Sequence, residues 1–446
     1  MNFYEPNLTP NQIFARLCEI NKVTPKDLAE KFNIDIEVVA VFESVESIEQ
    51  LKGNVLEKIK RIFHTENMPI SKSDYKIFLT SLFTLRNLIK KGNKKEVARL
   101  KERLAPILKY PFYPEFTMLY RLFLINEMIV DGKIEEAEKA LEESRPLCGF
   151  ISNVICGYYR FRNEALILFA HGEYEEASNT FEAAINWIKL NKKFNENAKI
   201  PMHFEQENKD LYYNIALCAT ILSRPAKAIV NLQSHLPEHT NDMLDDFDVD
   251  IHLLYAVNYI RVNEVFRAQL ILDKCFLKTK AEDNRTLLAG TLRNFGYSHR
   301  VIKDYDKAAD YYKQALHTFI SSTDSLMCMC EYTLCLIQMK NFEEARYSIK
   351  RGKELSTEEK EMHSIYFEAL KCLIDILTNN NAEEAYKYIE DVAFPCFRHN
   401  SDKFTLIDYC VILEEHFTEV EDNLRIMEAV IRLRDLYNEI NGGTIE

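Results

Sequence analysis

One short pattern of apolar and polar positions organises the chain, and it is clearest between Thr291 and Leu316. Leu292, Phe295, Gly296 and Val301 fall on one stripe of a first helix, and Ala308, Tyr312, Ala315 and Leu316 on one stripe of a second. Helical spacing of this kind gives each helix a single apolar face. Lys303 and Asp304 supply a polar turn, Tyr305 fills the mouth of the hairpin, and Gly296 and Ala308 are small where the two backbones approach. The turn and second helix recur around Val97, Ala137, Ala177, Ala228, Ala268, Ala308, Ala345 and Ala385, in steps of 40, 40, 51, 40, 40, 37 and 40 residues. A unit repeated at that period buries its apolar face only against its neighbours, so the pattern predicts an all-α solenoid of about nine helix pairs. The one long step marks a polar insertion from Asn191 to Lys209, interrupted by Pro201, and a last pair over Phe404–His416 and Val420–Tyr437 closes the array.

The small residues, aromatic and alanine of each hairpin resemble the tetratricopeptide motif, which implies a right-handed solenoid over residues 67–446. Residues 1–66 lie outside the repeat. Asn11–Ile20 reads as a first helix. Thr24 caps a second, with Pro25 at its first position, and Asp35 opens a third. Thr24, Leu28, Ala29, Phe32 and Glu43 stand where the phage-repressor type of helix-turn-helix has its Ser/Thr, Leu, Ala, hydrophobic and Glu positions, so residues 1–66 resemble that module. The resemblance implies that Thr24, Lys26, Asp35, Ile36 and Glu37 face DNA, although Asp35 and Glu37 depart from the polar or basic residues usual in a recognition helix.

Charge modifies this picture. The formal net charge of −13 argues against general affinity for nucleic acid. Eight Lys/Arg face eleven Asp/Glu through Glu66, but eleven Lys/Arg face only three acids between Asn67 and Lys109. That local excess, with Lys90, Lys91, Lys94 and Lys95 at its centre, is suited to track a phosphate backbone beside the helix-turn-helix.

The first helices of a helical-hairpin array line its inner wall. Register from Gly296 places Arg293, Asn294 and Tyr297 there, with Arg162 and Asn163, Tyr213 and Asn214, and Asn258 at matching places in other hairpins. An asparagine amide pairs with a peptide backbone through both a donor and an acceptor, and arginine holds a carboxylate in a fork. These eight residues are the expected peptide contacts.

A repressor-type helix-turn-helix followed by eight or nine tetratricopeptide-like pairs resembles the peptide-pheromone receptors of low-GC Gram-positive bacteria and their phages, the group of Rap, Rgg, NprR, PlcR and PrgX with the arbitrium receptors. The resemblance implies a cytoplasmic transcription regulator that takes a short oligopeptide in its groove and a double-stranded operator on its N-terminal domain, usually as a homodimer, here through the C-terminal repeats. A Rap-like module that binds a protein and never DNA is the alternative.

Catalytic constellations are not found. There is no His-Glu-x-x-His, no phosphate-binding glycine loop and no Gly-x-Ser-x-Gly, so neither an enzyme nor a cofactor is expected. The paired glutamates at the second-helix starts suit the helix dipole. The 11 cysteines are scattered without metal-ligand spacing and read as small buried hydrophobes. No secretory signal and no run of about 18 apolar residues is present, so no membrane span is expected.

Overall fold

A computed structural model of the protein describes residues 24, 26, 27, 30 and 72–441, apart from the short stretches 106–113, 151–153, 195–202, 237–245, 283, 320–321 and 357–360. Asp35, Ile36 and Glu37, the rest of the expected helix-turn-helix and the expected boundary at residue 66 lie outside them. The described residues fall into two compact units that divide at Leu211/Tyr212.

The first unit contains three hairpins, α1 (Lys72–Lys90) with α2 (Lys94–Leu104), α3 (Pro114–Val130) with α4 (Ile134–Phe150) and α5 (Val154–Ala170) with α6 (Tyr174–Phe194). The helix α7 (His203–Ile221) begins in it and ends in the second unit, where it pairs with α8 (Pro225–His235). The second unit continues with α9 (Asp246–Arg261) and α10 (Val265–Ala281), α11 (Arg285–Val301) and α12 (Tyr305–Thr318), and α13 (Ser322–Gln338) and α14 (Phe342–Leu355). Then come α15 (Glu361–Leu377), α16 (Ala382–Tyr388), which runs through a π-helical turn at Ile389–Ala393 into α17 (Phe394–His399), and the closing pair α18 (Lys403–Glu419) and α19 (Asn423–Ile440). These are the nine predicted pairs, and no strand occurs among the described residues.

The register predicted from sequence is the register of burial. Val97, Ala137, Ala177, Ala228, Ala268, Ala308, Ala345 and Ala385 are all at most 5% exposed. Five residues before the small residue, each of the first seven hairpins turns through a left-handed residue: Gly92, Gly132, Gly172, Ser223, Asn263, Lys303 and Lys340. Side-chain caps fix several helix starts, with Asn93, Asn284 and Asn341 accepting from the amides of Glu96, Leu287 and Glu344. Small residues admit aromatic rings, as expected: a Cβ on Gly296 would lie 2.8 Å from the ring of Tyr312, a side chain with no exposed surface.

The long step differs from a simple loop. Helix α6 extends through Asn191 to Phe194 and α7 starts at His203, so much of the insertion is helical. Glu207, within it, is buried. The described cysteines are free, and all but Cys396 are buried. Burial pushes the Cys372 and Cys410 thiols up to about 11, which leaves them protonated and inert at neutral pH.

Ion pairs hold several carboxyl groups below their ordinary values of 3.8 for Asp and 4.5 for Glu. Lys94 does this for Asp131; the Tyr332 hydroxyl and Lys313 do it for Glu344 against the opposing effect of burial. A depressed carboxyl stabilises the fold above its unfolded value, and that stability disappears as pH falls through the lower folded value. Melting temperature is therefore expected to stay level from neutral pH to about 5 and to fall below about 4. A thermal-melt series against pH measures it; a melt that rises on acidification would contradict these pairs.

Candidate functional site

In the second unit the first helices end along one line, and α18 lies against those ends. The residues of α18 that face them repeat every helical turn or two: Phe404, Asp408, Glu415 and Glu419. Arg261, at the end of α9, places its guanidinium 4.4 Å from the centre of the Phe404 ring. Arg300, near the end of α11, donates from Nη2 to Asp408 Oδ2 at 2.7 Å. Lys303 and Lys340, in the turns after α11 and α13, reach Glu415 at 3.0 Å and Glu419 at 3.3 Å. The Ser223 hydroxyl, in the turn after α7, donates to the Ser401 carbonyl at 2.8 Å. Cations at helix C-termini suit the dipole as well as the acids of α18.

Between these contacts is a cleft of about 490 Å³ lined by Arg261, Tyr297, Arg300, Gln338, Phe404 and Asp408 among others. Arg300 is buried, and its Nε has no hydrogen-bond partner, nor has Arg261 Nε. The oxygen Oε1 of Gln338 is likewise unpartnered. Buried donors and acceptors without protein partners are costly, and here three of them belong to residues that line one cleft. Burial raises the Asp408 carboxyl above its ordinary value in spite of Arg300. Burial also raises the Tyr297 hydroxyl to about 12, which keeps it a neutral donor.

The residues expected on the inner wall divide into three kinds. Tyr297 lines the cleft, 5.4 Å from the Arg300 guanidinium. Arg293 binds Glu331 in a two-bond fork at 2.9 and 2.6 Å, joining α11 to α13. Asn258 is fully buried and donates to Thr220 Oγ1 and to the Leu254 carbonyl, both at 2.8 Å, tying α9 to α7. Tyr213 packs 5.7 Å from the Phe247 ring, and Asn214 and Asn294 are half-buried. Arg261, Arg300 and Asp408 were not singled out from sequence; Arg261 stands two residues before the left-handed Asn263 and Arg300 three before Lys303, positions that the offsets from Gly296 passed over.

The first unit has its own polar wall. Arg162 and Asn163 lie on α5, and Asn163 donates to the Leu122 carbonyl of α3 at 2.7 Å. Arg86 on α1 pairs with Glu207 on α7, and Tyr159 lies beneath its guanidinium at 5.6 Å. Two nitrogens of buried Arg162, Nε and Nη1, have no partner. All four lysines expected to meet phosphates are exposed, and two of them are paired, Lys90 with Asp210 at 2.5 Å and Lys94 with Asp131 at 2.9 Å. At the N-terminal module, the Thr24 amide and hydroxyl donate to Asp27 Oδ2 at 2.8 and 2.6 Å, and the Asp27 amide donates back to the Thr24 hydroxyl at 3.1 Å. That reciprocal cap is the role expected of Thr24; Lys26 beside it is exposed. No group of three or more His, Cys, Asp or Glu among the described residues is arranged to hold a metal, and none of their helices is long and apolar enough to cross a membrane.

No protein-family model matches the chain. RapD, a regulatory protein of Bacillus subtilis (strain 168), is 25% identical over 229 residues, which make up 50% of this chain and 62% of RapD, so the match spans less than two thirds of that relative. A Rap protein solved in complex with competence and sporulation factor superposes with a TM-score of 0.65 at 15% identity, over 82% of this chain and 99% of its own. NprR solved with its cognate peptide NprX gives 0.58 at 19% identity, over 81% and 98%. The array of hairpins in this chain is the fold that the Rap and NprR peptide receptors share.

Proposed function

We propose that the protein is a cytoplasmic peptide receptor that regulates transcription, taking a short oligopeptide on the inner wall of its hairpins and an operator on its N-terminal residues. The observation that carries the peptide reading is the cleft of the second unit, where Arg261 and Arg300 have buried, unpartnered donors beside Tyr297 and Gln338. Solved Rap and NprR neighbours, each with a bound peptide, support the same reading. Asn294, Tyr213 and Asn214 extend the proposed contacts within the second unit; in the first unit Arg162 and Asn163 are proposed contacts by themselves, Asn163 through its carbonyl oxygen, since its amide donates to Leu122. Arg293 and Asn258 act by fixing one hairpin against the next. A peptide changes the array only through its differential affinity for two arrangements of these hairpins, and that change is what the N-terminal residues transmit.

A second reading, a module controlled by peptide that binds a protein and not DNA, is favoured by one observation: Lys90 and Lys94 already hold acids of the fold. Binding of the full chain to DNA upstream of its own gene, at two salt concentrations, separates the readings. It is run with and without synthetic C-terminal peptides of adjacent short reading frames. Under the first reading one peptide alters sequence-specific binding, and Lys91→Gln with Lys95→Gln lowers the salt slope by about 2. Tight peptide binding with no specific DNA binding selects the second; no peptide binding under any condition rejects both.

Homodimerisation is proposed through α19. Leu424, Met427 and Ile431 stand on one stripe of this last helix, exposed at 63, 57 and 44%. A capping helix of a monomer has a polar outer face. Leu424→Glu with Ile431→Glu is expected to convert a dimer to a monomer in sedimentation; an unchanged mass moves the interface elsewhere.

A further inference from the structure

Eight of the nine second helices carry the buried small residue and can be compared position by position, and α10 departs from the other seven. Two residues before the buried small residue the chain has Lys95, Glu135, Glu175, Ala226, Asp306, Glu343 and Glu383, but α10 has Phe266, 76% exposed. Two residues after it, most hairpins are polar, whereas α10 has Leu270 and α8 has Val230, exposed at 51 and 63%. Leu277 is 70% exposed. At about 100° per residue Phe266, Leu270 and Leu277 fall within an arc of about 40°. Arg267 and Lys274 flank that arc on one edge, and Lys280 with the exposed Asp273 on the other.

Beside Lys280 the surface sinks into a cleft of about 560 Å³ between α10 and α12. Phe276, Leu288 and Leu292 line it, and Lys280, Lys313 and His317 stand with them. The Lys280 ammonium lies 5.4 Å from the Phe276 ring centre. The same cleft contains Asp310, its one acid. An apolar stripe with Lys274 on one border and Lys280 on the sunken one is therefore set in a chain whose formal net charge is −13. Isolated exposed apolar residues are ordinary, but three on one helical arc form a stripe.

We propose that this outward face of α10, with the cleft between α10 and α12, docks an acidic amphipathic helix of a partner protein. The stripe spacing is that of a helix, and parallel second helices offer the ridges and grooves into which another helix settles. The partner's leucine-type side chains lie along Phe266, Leu270 and Leu277, and one enters the cleft. Its carboxylates meet Lys274 on one edge and Lys280 on the other, while Lys313 stays paired with Glu344 at 3.1 Å. The site shares no residue with the cleft lined by Arg300 and is independent of the peptide reading.

The probes are two fluorescein-labelled 18-residue designed helices with the same leucine stripe, one flanked by glutamate and its twin by lysine. Anisotropy with the full chain is expected to show the acidic helix binding at least tenfold more tightly than its twin. Leu270→Asp with Leu277→Asp removes that binding at least tenfold, and Lys274→Glu with Lys280→Glu transfers preference to the basic twin. All four positions are exposed, and circular dichroism melts verify that the variants fold. Equal binding of the twins, or acidic-helix binding unchanged in both variants, overturns the proposal. So does absent helix binding accompanied by Leu270-dependent binding to phosphatidylglycerol vesicles or Leu270-dependent self-association, which assign the face to a membrane or a second copy.

Discussion

Gly352→Ala is expected to destabilise the second unit by about 3 kcal/mol, although alanine is the better helix former by about 1 kcal/mol. Gly352 lies on α14, and a Cβ built there would fall within the ring of Phe367 on α15. Phe367 has no exposed surface and belongs to the core that runs from Leu292 to Leu436. The ring therefore cannot step aside without displacing its neighbours, and the two helices have to separate. Gly296→Ala meets the ring of Tyr312 at 2.8 Å and is expected to cost less, about 1 to 2 kcal/mol. Gly157 faces Trp187, which is only half-buried. Urea melts of Gly352→Ala, Gly296→Ala and Gly157→Ala should rank in that order; a Gly352→Ala protein as stable as the parent would mean that α14 and α15 are not in this close contact.

Asp408→Lys is expected to lower stability by about 4 kcal/mol, in the range for breaking a buried pair. It sets a second cation against Arg300, whose side chain is 4% exposed. The closing hairpin nevertheless stays attached. Leu406, Tyr409, Cys410, Leu413, Phe417 and Leu436 are buried in the same core, and each contributes about 1.5 to 3 kcal/mol. Their sum outweighs one ion pair, so α18 loses its contacts with α9 and α11 without leaving α15. Hydrogen exchange should accelerate around Lys303 and along the Asp408 face of α18, while the amides of α15 keep their protection. Arg300→Glu combined with Asp408→Lys should recover part of the loss. Slow exchange at Lys303 in the single variant would show that the pair does not hold α18 in place.

The fold was legible from sequence because a solenoid writes its packing locally. Ala308 meets helices within one period of itself, so the spacing of small residues contains nearly all the information needed to place the pairs. The glycines at Gly92, Gly132 and Gly172 signalled the left-handed turn directly, whereas Lys303 and Lys340 adopt it without announcing it. The candidate site was legible only in part. Offsets from Gly296 located Tyr297 in the cleft, but they also selected Asn163 and Asn258, whose donors are taken by Leu122 and by Thr220 and Leu254. An inner-face amide that meets a ligand and one that ties adjacent hairpins have the same register. Arg300 and Asp408 escaped because the partners are 108 residues apart, and no period relates a cation in one hairpin to an acid in another three hairpins later. Asp35, Ile36 and Glu37, expected in a helix-turn-helix, lie outside the described residues, and the contacts expected of them rest on the resemblance alone.

Lys303 and Lys340 occupy backbone positions that glycine fills in the first three turns, at φ of 62° and 59°. A side chain there is strained by about 1 kcal/mol, yet both ammonium groups end on α18. Each of these two loops thus serves as a tether whose anchor point is a conformation the local chain resists. Relaxing the backbone with glycine would ease the individual hairpin and at the same time cut its long-range hold. Selection for a more comfortable turn and selection for a closed inner wall therefore act on the same residue in opposite directions.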